Sequence, residues 1–245
     1  MDAWGDFEEG YIHTSQGYLF FRRRHGKGKS IILVHGLGAN SNTWKRLIEN
    51  LGSNMDIIAL DLLGHGRSDA PDIDYRTSIQ AQALFEFIGI LGIKSPILFG
   101  NSYGAWVCAL YASGKRACSL LVLEDCAGLY DEVALLKELG KLNDYKSRIF
   151  EEIARQNPKR QYVMSSIMNN FESDLLDDNK LSSIKCGTLI IWGSDDKIIP
   201  SAIGHVLAGK LNGSALEIVE DGGHVPHILK PNKVASILKQ FVDGM

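Results

Sequence analysis

The chain has little of what would place it in a membrane or on a nucleic acid. None of its apolar runs approaches the ~18 residues that a transmembrane helix needs. Its acidic start, MDAWGDFEEG, carries no apolar segment of the kind found in a secretory signal. The formal net charge of −3 gives no electrostatic reason to bind nucleic acid or an anionic lipid surface. We therefore expect neither a nucleic acid nor a membrane as a partner.

Cysteine is also scarce, and its spacing does not suggest a metal site. The sequence contains no Cys-x-x-Cys pair, no zinc-ligand spacing and no Gly-x-Gly-x-x-Gly motif. The four cysteines lie in or next to apolar segments, at Cys108, Cys118, Cys126 and Cys186. Buried reduced thiols are therefore favoured over disulfides or metal ligands. The sequence predicts a cytoplasmic protein that needs no metal and no organic cofactor.

Strand-like and helix-like segments alternate along most of the chain. Six short apolar runs recur, namely SIILVHG, DIIALDLLGHG, SPILFGNS, SLLVLEDC, TLIIWGSDD and ALEIVED. Runs this short and uniform are typical of parallel strands covered on both faces. Helix-like stretches lie at 78–91, where Ser78 is a candidate N-cap, at 103–112 and at 231–242. The alternation indicates an α/β fold with a doubly wound, mostly parallel sheet.

Two further strands are predicted before these runs, in GYIHTSQGYLFFRRR, around a Ser-Gln-Gly turn. The second strand ends in Arg22, Arg23 and Arg24. At the end of an edge strand, a basic run is expected to stay in solvent and to block edge-to-edge aggregation.

Residues 128–183 interrupt the alternation, because they are charged, helix-prone and without a strand signal. We predict that they form a short helical cap, inserted into a core made of 1–127 and 184–245, with one domain overall. An insertion at this place lies above the carboxyl ends of the strands, where open α/β sheets bind ligands.

The stretch GNSYG, residues 100–104, places Ser102 between two glycines at a predicted strand-to-helix junction. Gly-x-Ser-x-Gly in that context is the nucleophile elbow. The turn strains the serine backbone, so the residues two positions away need almost no side chain. The serine hydroxyl is lifted above the sheet beside a helix N-terminus, which favours developing negative charge. The sequence therefore predicts Ser102 as a nucleophile.

A nucleophilic serine needs a base, and His224 is the best placed histidine. It follows the last predicted strand and precedes the final helix, in EIVEDGGHVPHILKP, with His227 as the main alternative. The base in turn needs an acid that orients its ring. Asp195 and Asp196 follow the strand TLIIWG, and an aspartate there can reach a histidine on the next loop.

With these residues in place, the chain resembles the α/β-hydrolase fold serine hydrolases over nearly its whole length. The matching segments are LVHGLG, DLLGHGRSD, GNSYG, WGSDDKIIP and GGHVPH. In that family the acid stands three residues after the Trp-Gly glycine and four before the proline. Asp196 meets both spacings, so the resemblance favours it over Asp195. Asp125 is a further alternative, because some relatives take the acid from the end of the strand before the insertion.

The tetrahedral intermediate of acyl transfer needs backbone N–H donors. One candidate is Tyr103, directly after the serine. By resemblance to the His-Gly-x-Gly loops of the family, the other candidate is Leu37. For the substrate pocket we expect Trp106, Leu129, Met164, Met168 and Val225.

The resemblance implies two-step acyl transfer, and we expect a carboxylesterase that acts on small-molecule esters of small to medium acyl chains. Ser102 argues against haloalkane dehalogenases and epoxide hydrolases, which carry aspartate at the elbow. Two alternatives stay open. The chain has some resemblance to meta-cleavage product hydrolases, which split carbon–carbon bonds, and some relatives are ligand receptors with slow turnover.

A histidine base predicts activity that rises through about pH 6–7.

Overall fold

The computed structural model describes residues 4–52, 54–138, 140–156 and 161–244. These residues form one eight-stranded sheet flanked by helices. The strands are β1 (Glu8–Thr14), β2 (Gly17–Arg24), β3 (Ser30–Val34), β4 (Asp56–Leu60), β5 (Ile97–Asn101), β6 (Leu120–Glu124), β7 (Gly187–Gly193) and β8 (Ala215–Val219). Each predicted strand run is therefore found in the sheet.

Helices follow most of the strands. After a 3₁₀ turn at Ser41–Trp44, they are α1 (Lys45–Ile48), α2 (Thr77–Ile90), α3 (Tyr103–Ser113), α4 (Tyr130–Glu138), α5 (Leu142–Gln156), α6 (Gln161–Asn169), α7 (Asp178–Ser183), α8 (Ser201–Lys210), α9 (Pro226–Leu229) and α10 (Pro231–Asp243).

The sheet has the strand order β1-β2-β4-β3-β5-β6-β7-β8. The β1–β2 and β2–β4 pairs are antiparallel, and the pairs from β4 to β8 are parallel. The predicted fold class, an α/β fold with a mostly parallel sheet, is confirmed. The carboxyl ends of the parallel strands all lie at the same end of the sheet. The segments that follow these strands carry Ser102, Asp196 and His224.

Apolar side chains alternate between the two faces of the sheet, as the two-residue period of a strand requires. One face, with Leu98 and Leu123, packs against α2, α3 and the helices of residues 128–183. The other, with Phe99 and Val122, packs against α1 and α10. Burial on both faces explains why the central strands are apolar throughout.

Two expectations about the sheet margins are wrong. β2 lies between β1 and β4 and is not an edge strand. Arg22 is accordingly buried and donates to Glu9 and Ser41, while Arg23 forms two hydrogen bonds with Asp56. β8 lies at one edge of the sheet, with β1 at the other, and its side chains are partly exposed rather than covered on both faces as expected. A local pattern does not reveal which strand lies at an edge, because strand order depends on long-range pairing.

The predicted N-cap of α2 is also wrong. The helix begins at Thr77, one residue before Ser78, and its N-cap residue Arg76 makes no side-chain capping bond. The backbone N–H of Ser78 instead donates to the carboxylate of Asp174 at 2.9 Å. A capping group from a distant segment leaves no local sequence signal.

Helices α4–α7 lie between β6 and β7, where the helical insertion is predicted. A parallel bridge between Leu129 and Leu176 joins the two ends of this region. The division into a core and a cap stays a prediction.

Candidate active site

Ser102 occupies a tight turn between β5 and α3. Its backbone has φ 52° and ψ −114°, a region that costs free energy for a residue with a side chain. A Cβ atom at Gly100 would lie 2.4 Å from the backbone nitrogen of Ala105. One at Gly104 would lie 2.2 Å from the carbonyl oxygen of Val34. Both positions therefore require glycine, as the elbow interpretation demands.

His224 lies between Ser102 and Asp196 and contacts each through one ring nitrogen. Its Nε2 is 2.9 Å from the hydroxyl oxygen of Ser102, and its Nδ1 is 2.7 Å from Oδ2 of Asp196. The Asp196 side chain is fully buried, whereas that of His224 is 21% exposed. A carboxylate accepts hydrogen bonds, so it favours a proton on Nδ1 and leaves Nε2 to accept from the serine. The arrangement can move the serine proton to the histidine.

Backbone groups hold the Asp196 carboxylate in this orientation. Its Oδ1 accepts from the N–H groups of Ile198, at 2.7 Å, and Ile199, at 3.0 Å. The neighbouring Asp195 is exposed and accepts from the N–H of Gly223 at 2.8 Å. Asp196 therefore contacts the His224 ring, and Asp195 contacts the backbone of the histidine loop, which is formed by residues 220–225 between β8 and α9.

Asp125, the alternative acid, lies against the same group of side chains. Its φ is 45°, and its Oδ1 accepts from the N–H of Gly193 at 3.0 Å. Burial, and then the charge of Glu124, raises the pKa of the Asp125 carboxyl well above its ordinary value. A carboxyl that favours its neutral form is poorly suited to stabilise an imidazolium. The geometry therefore favours Asp196 as the partner of His224.

The same cluster carries three groups of the kind that ligate metal ions. These groups belong to Asp125, Asp196 and His224. Each residue offers one potential ligand atom, and the three atoms lie within 4.8 Å of one another. The hydrogen bonds just described already engage both oxygens of Asp196 and the Nδ1 of His224. The donor set therefore suits proton transfer better than metal coordination.

The two predicted oxyanion donors both line the cavity beside Ser102. Leu37 follows β3, and Tyr103 opens α3. The oxyanion loop, formed by residues 35–40 after β3, approaches the elbow closely, since a Cβ at Gly36 would lie 2.9 Å from Oδ1 of Asn101. The Tyr103 ring is buried, so the backbone of that residue is what can serve the site.

His35 orients this loop, a role that the sequence analysis did not assign. Its Nδ1 lies 2.7 Å from the carbonyl oxygen of Gly36, and its Nε2 accepts from the N–H of Leu62 at 3.0 Å. Nδ1 therefore carries the proton, and burial lowers the pKa of His35 and keeps the ring neutral. In a trans peptide the N–H of Leu37 points opposite to the Gly36 carbonyl, so this contact fixes its direction. The His-Gly pair at a strand end was the available signal.

His227, the alternative base, lines the same cavity, but the hydrogen bonds of its Nδ1 and backbone N–H go to Glu124. These two distances are 2.5 and 2.9 Å, and the His227 ring packs on Trp44. Asn101 donates to Glu124 at 3.0 Å and to the carbonyl oxygen of His224 at 3.2 Å. Glu124 thus ties the elbow to the histidine loop. An acid ending an apolar strand, LLVLE, was the sequence signal for this residue.

A cavity of about 580 Å³ opens in front of Ser102. The oxyanion loop and the histidine loop form one side, and side chains from residues 128–183 form another. The apolar lining includes Tyr145, Ile149, Met168, Phe171, Ile198, Val225 and Ile228. Two residues predicted for the pocket, Met168 and Val225, therefore line this cavity.

The other three residues predicted for the pocket lie in the core instead. Trp106 is fully buried beneath Gly128, where an added Cβ would lie 2.2 Å from its ring, and it donates to the carbonyl oxygen of Asp174. Leu129 and Met164 are buried in the same cluster. They attach the helices of residues 128–183 to α3, which leaves them behind the cavity wall.

Glu132 of α4 is a buried acid close to this site. Burial raises its pKa to about 7, while a hydrogen bond with Tyr145 opposes the rise and the charge of Asp196 adds to it. Its Oε2 has no hydrogen-bond partner among the described residues. Glu132 thus forms a hydrogen bond with Tyr145, which lines the cavity, and its charge interacts with that of Asp196.

The chain is similar to known hydrolases in sequence and in fold. The chain is 25% identical to a monoacylglycerol lipase of Xenopus laevis, across 99% of this chain and 81% of that protein. The fold matches the crystal structure of a bacterial membrane phospholipase A with a TM-score of 0.84 and 23% identity, covering 99% of this chain and 88% of the other. It also matches a meta-cleavage product hydrolase of Pseudomonas fluorescens with a TM-score of 0.78 and 20% identity, covering 96% and 97%.

Along the described residues, no helix combines the length and the apolarity that crossing a bilayer requires.

The model of the alpha/beta hydrolase family matches residues 31–237, which include the elbow, the oxyanion loop and the histidine loop. The resemblance drawn from the sequence motifs is confirmed: the chain belongs to the α/β hydrolase family.

Proposed function

We propose that this chain is a serine carboxylesterase that hydrolyses esters of small to medium acyl chains through an acyl-enzyme on Ser102. The observation that carries the proposal is the hydrogen-bonded path from Ser102 through His224 to Asp196, which opens on an apolar cavity. A serine hydroxyl is a weak nucleophile until a base takes its proton. This path supplies the base and the acid that orients it.

In the first half-reaction, the Ser102 oxygen attacks the ester carbonyl carbon while Nε2 of His224 takes the serine proton. The carboxylate of Asp196 stabilises the imidazolium that forms. The backbone N–H groups of Leu37 and Tyr103 are the proposed donors to the oxyanion. When the tetrahedral intermediate collapses, His224 gives its proton to the departing alcohol and the acyl group stays on Ser102.

In the second half-reaction, water takes the place of the alcohol. His224 removes a proton from the water as its oxygen attacks the acyl carbon, and then returns a proton to the Ser102 oxygen. The carboxylic acid leaves and the serine is regenerated.

The cavity supports an acyl chain of moderate length. Its lining near the serine is largely apolar, with Met168, Phe171 and Ile149 from residues 128–183, and its volume is about 580 Å³. Thr43 and Lys197 add polar groups to the cavity lining. Because a relative is a monoacylglycerol lipase, monoacylglycerols of medium chain length are the first natural substrates to test.

Carbon–carbon bond hydrolysis of ring-opened dienones is the second candidate. The Gly-Asn-Ser sequence of the elbow favours it, together with the fold shared with a meta-cleavage product hydrolase. The cavity side chains near Ser102 favour the ester, because they are mostly apolar. A cytoplasmic location for either activity stays a prediction.

The decisive experiment compares turnover of p-nitrophenyl esters, from acetate to decanoate, by the wild type, Ser102→Ala and Ser182→Ala. Ser182 is exposed on α7 and is the matched control. We expect Ser102→Ala to lower kcat by about 10⁴-fold or more, as losses of a catalytic serine do. The control should keep the wild-type rate, and the optimum chain length should be between butanoate and octanoate.

Retained turnover in Ser102→Ala would contradict the proposal. A wild type that cleaves a ring-opened dienone with much higher kcat/KM than any ester would favour the second candidate. A single turnover followed by a stable adduct would instead indicate a ligand receptor.

A further inference from the structure

Cys118 and Cys186 lie side by side at the end of the sheet opposite the active site. Cys118 comes two residues before β6 and Cys186 directly before β7, and these strands are parallel neighbours with Leu120 opposite Gly187. The sulfur atoms are 2.7 Å apart. An S–S bond measures about 2.05 Å, so bond formation needs a movement of less than about 1 Å.

These two cysteines differ from the other two in accessibility. Cys118 and Cys186 are partly exposed, whereas Cys108 and Cys126 are buried in the core. The expectation of four buried thiols is therefore wrong for the first pair. Both residues of the Cys118–Cys186 pair are therefore partly accessible from solvent in the folded chain.

The two thiols are also chemically unequal. The thiol of Cys118 donates to the sulfur of Cys186, and this hydrogen bond lowers the pKa of Cys186. The same contact, together with burial, raises the pKa of Cys118. Since the thiolate is the reactive species, Cys186 is the better first nucleophile and Cys118 the better resolving thiol.

We propose that Cys118 and Cys186 form an intramolecular disulfide by exchange with a low-molecular-weight disulfide, and that this pair is a redox modification site of the protein. The Cys186 thiolate attacks one sulfur of the reagent, which forms a mixed disulfide and releases one reagent thiolate. Cys118 then gives its proton to solvent, and its sulfur attacks the Cys186 sulfur and releases the second reagent thiolate. The protein loses two electrons and two protons, and the reagent is reduced to two thiols.

The bond would close a loop that spans β6 and the helices of residues 128–183, since the cysteines are 68 positions apart. Closing a long loop restricts the unfolded chain and stabilises the fold. The cysteines precede β6 and β7, whereas Asp125 and Asp196 follow them. At roughly 3.3 Å per residue, the five to seven residues of a strand separate the bond from the site by about 20 Å. We therefore expect modification to change stability and leave the chemistry at Ser102 unaltered.

The test treats the folded protein with oxidised glutathione and follows intact mass, free thiols and ester turnover. The wild type should lose the mass of two hydrogen atoms, retain no glutathione, and fall from four titratable thiols to two. Peptide mapping should place the bond between Cys118 and Cys186. The denaturation midpoint should rise, kcat should stay within twofold, and a reductant should reverse the change.

Two single variants test the order of attack. In Cys118→Ser the thiol of Cys186 has no resolving partner, so this variant should retain one glutathione. Cys186→Ser should react more slowly, because Cys118 is the poorer nucleophile. Cys108→Ala is the matched control and should form the disulfide as the wild type does.

Three results would overturn the proposal. The first is that all four thiols remain free after treatment with oxidised glutathione. The second is a disulfide that includes Cys108 or Cys126. The third is a wild type in which both Cys118 and Cys186 keep a bound glutathione. Because every readout except kcat is independent of catalysis, failure here is distinguishable from failure of the proposed hydrolase activity.

Discussion

Three aspartates surround the histidine loop, and each has a different partner. Asp196 contacts the His224 ring, Asp195 the backbone N–H of Gly223, and Asp125 the backbone N–H of Gly193. The chemical role of each residue therefore follows from which donor its carboxylate meets. Only the Asp196 carboxylate is both buried and in contact with the ring that would become charged.

Replacing Asp196 by asparagine should lower kcat by about 10⁴-fold, because an amide can present N–H to Nδ1 and favour the wrong tautomer of His224. Asp195→Asn is the matched control. It should lower kcat by less than about 10-fold, since an amide oxygen can still accept from Gly223. Steady-state kinetics on one p-nitrophenyl ester measures both. Equal losses in the two variants, or a larger loss in Asp195→Asn, would contradict the assignment.

The sequence predicted the residues that belong to local motifs and missed those that act across the fold. The elbow around Ser102 could be predicted because its two glycines lie within five residues. His35 and Glu124 could not be given roles, since their partners come from other strands and loops. Asp196 could be chosen over Asp195 only from the spacing of the family motif, because the two aspartates have the same side-chain chemistry.

At the scale of elements, α4 and α5 connect the insertion to the site. Glu132 of α4 shares a hydrogen bond with Tyr145 of α5, and Tyr145 lines the cavity. The carboxyl is buried, and one of its oxygens has no partner among the described residues. The stability of this helix pair should therefore depend on the protonation of one acid.

The pH dependence of stability tests this contact. Burial raises the pKa of Glu132 from its ordinary 4.5 to about 7 in the folded chain. Between these values the folded state binds more protons than the unfolded state, so stability falls as pH rises. The corresponding loss is on the order of 3 kcal/mol. Glu132→Gln should remove the part of the decline that is due to Glu132, as measured by denaturant unfolding from pH 4.5 to 8, while the part due to Asp125 remains.

The matched control for this prediction is Glu217→Gln, at an exposed position of β8. It should follow the wild-type curve. If the wild type and Glu132→Gln lose stability in parallel across the range, Glu132 does not titrate as described.

For the whole molecule, stability depends on apolar layers on both faces of the sheet. The C-terminal helix α10 buries Val234, Ile237 and Leu238 against the face that carries Phe99. The helical repeat of these residues predicted the helix from the sequence, and the structure contains it at Pro231–Asp243. The active site lies at the carboxyl ends of the strands. The α10 layer therefore supports the sheet beneath the site and does not line the cavity.

Leu238→Ala should therefore lower the free energy of unfolding by about 2–5 kcal/mol, because Leu238 is fully buried and truncation leaves a cavity. Leu229→Ala makes the same chemical change at a position that is 52% exposed, and should cost less than about 1 kcal/mol. Urea unfolding measures both. Similar losses in the two variants would mean that α10 does not pack as described.

The architecture of the sheet could be predicted because parallel strands buried on both faces leave a strong apolar signal. What could not be predicted is how residues 128–183 fold onto it. Trp106, Leu129 and Met164 were expected in the pocket because they are large and apolar, but those same properties bury them between α3 and the insertion. Met168 and Val225 reach the cavity.

The central claim is that Ser102 is acylated during turnover. The measurement is intact-mass and peptide analysis of enzyme quenched in acid during turnover of p-nitrophenyl butanoate. We predict one butanoyl group per chain, on the peptide that contains Ser102, and none in Ser102→Ala. An acyl group on another residue, or turnover that persists in Ser102→Ala, would contradict the proposed acyl-enzyme.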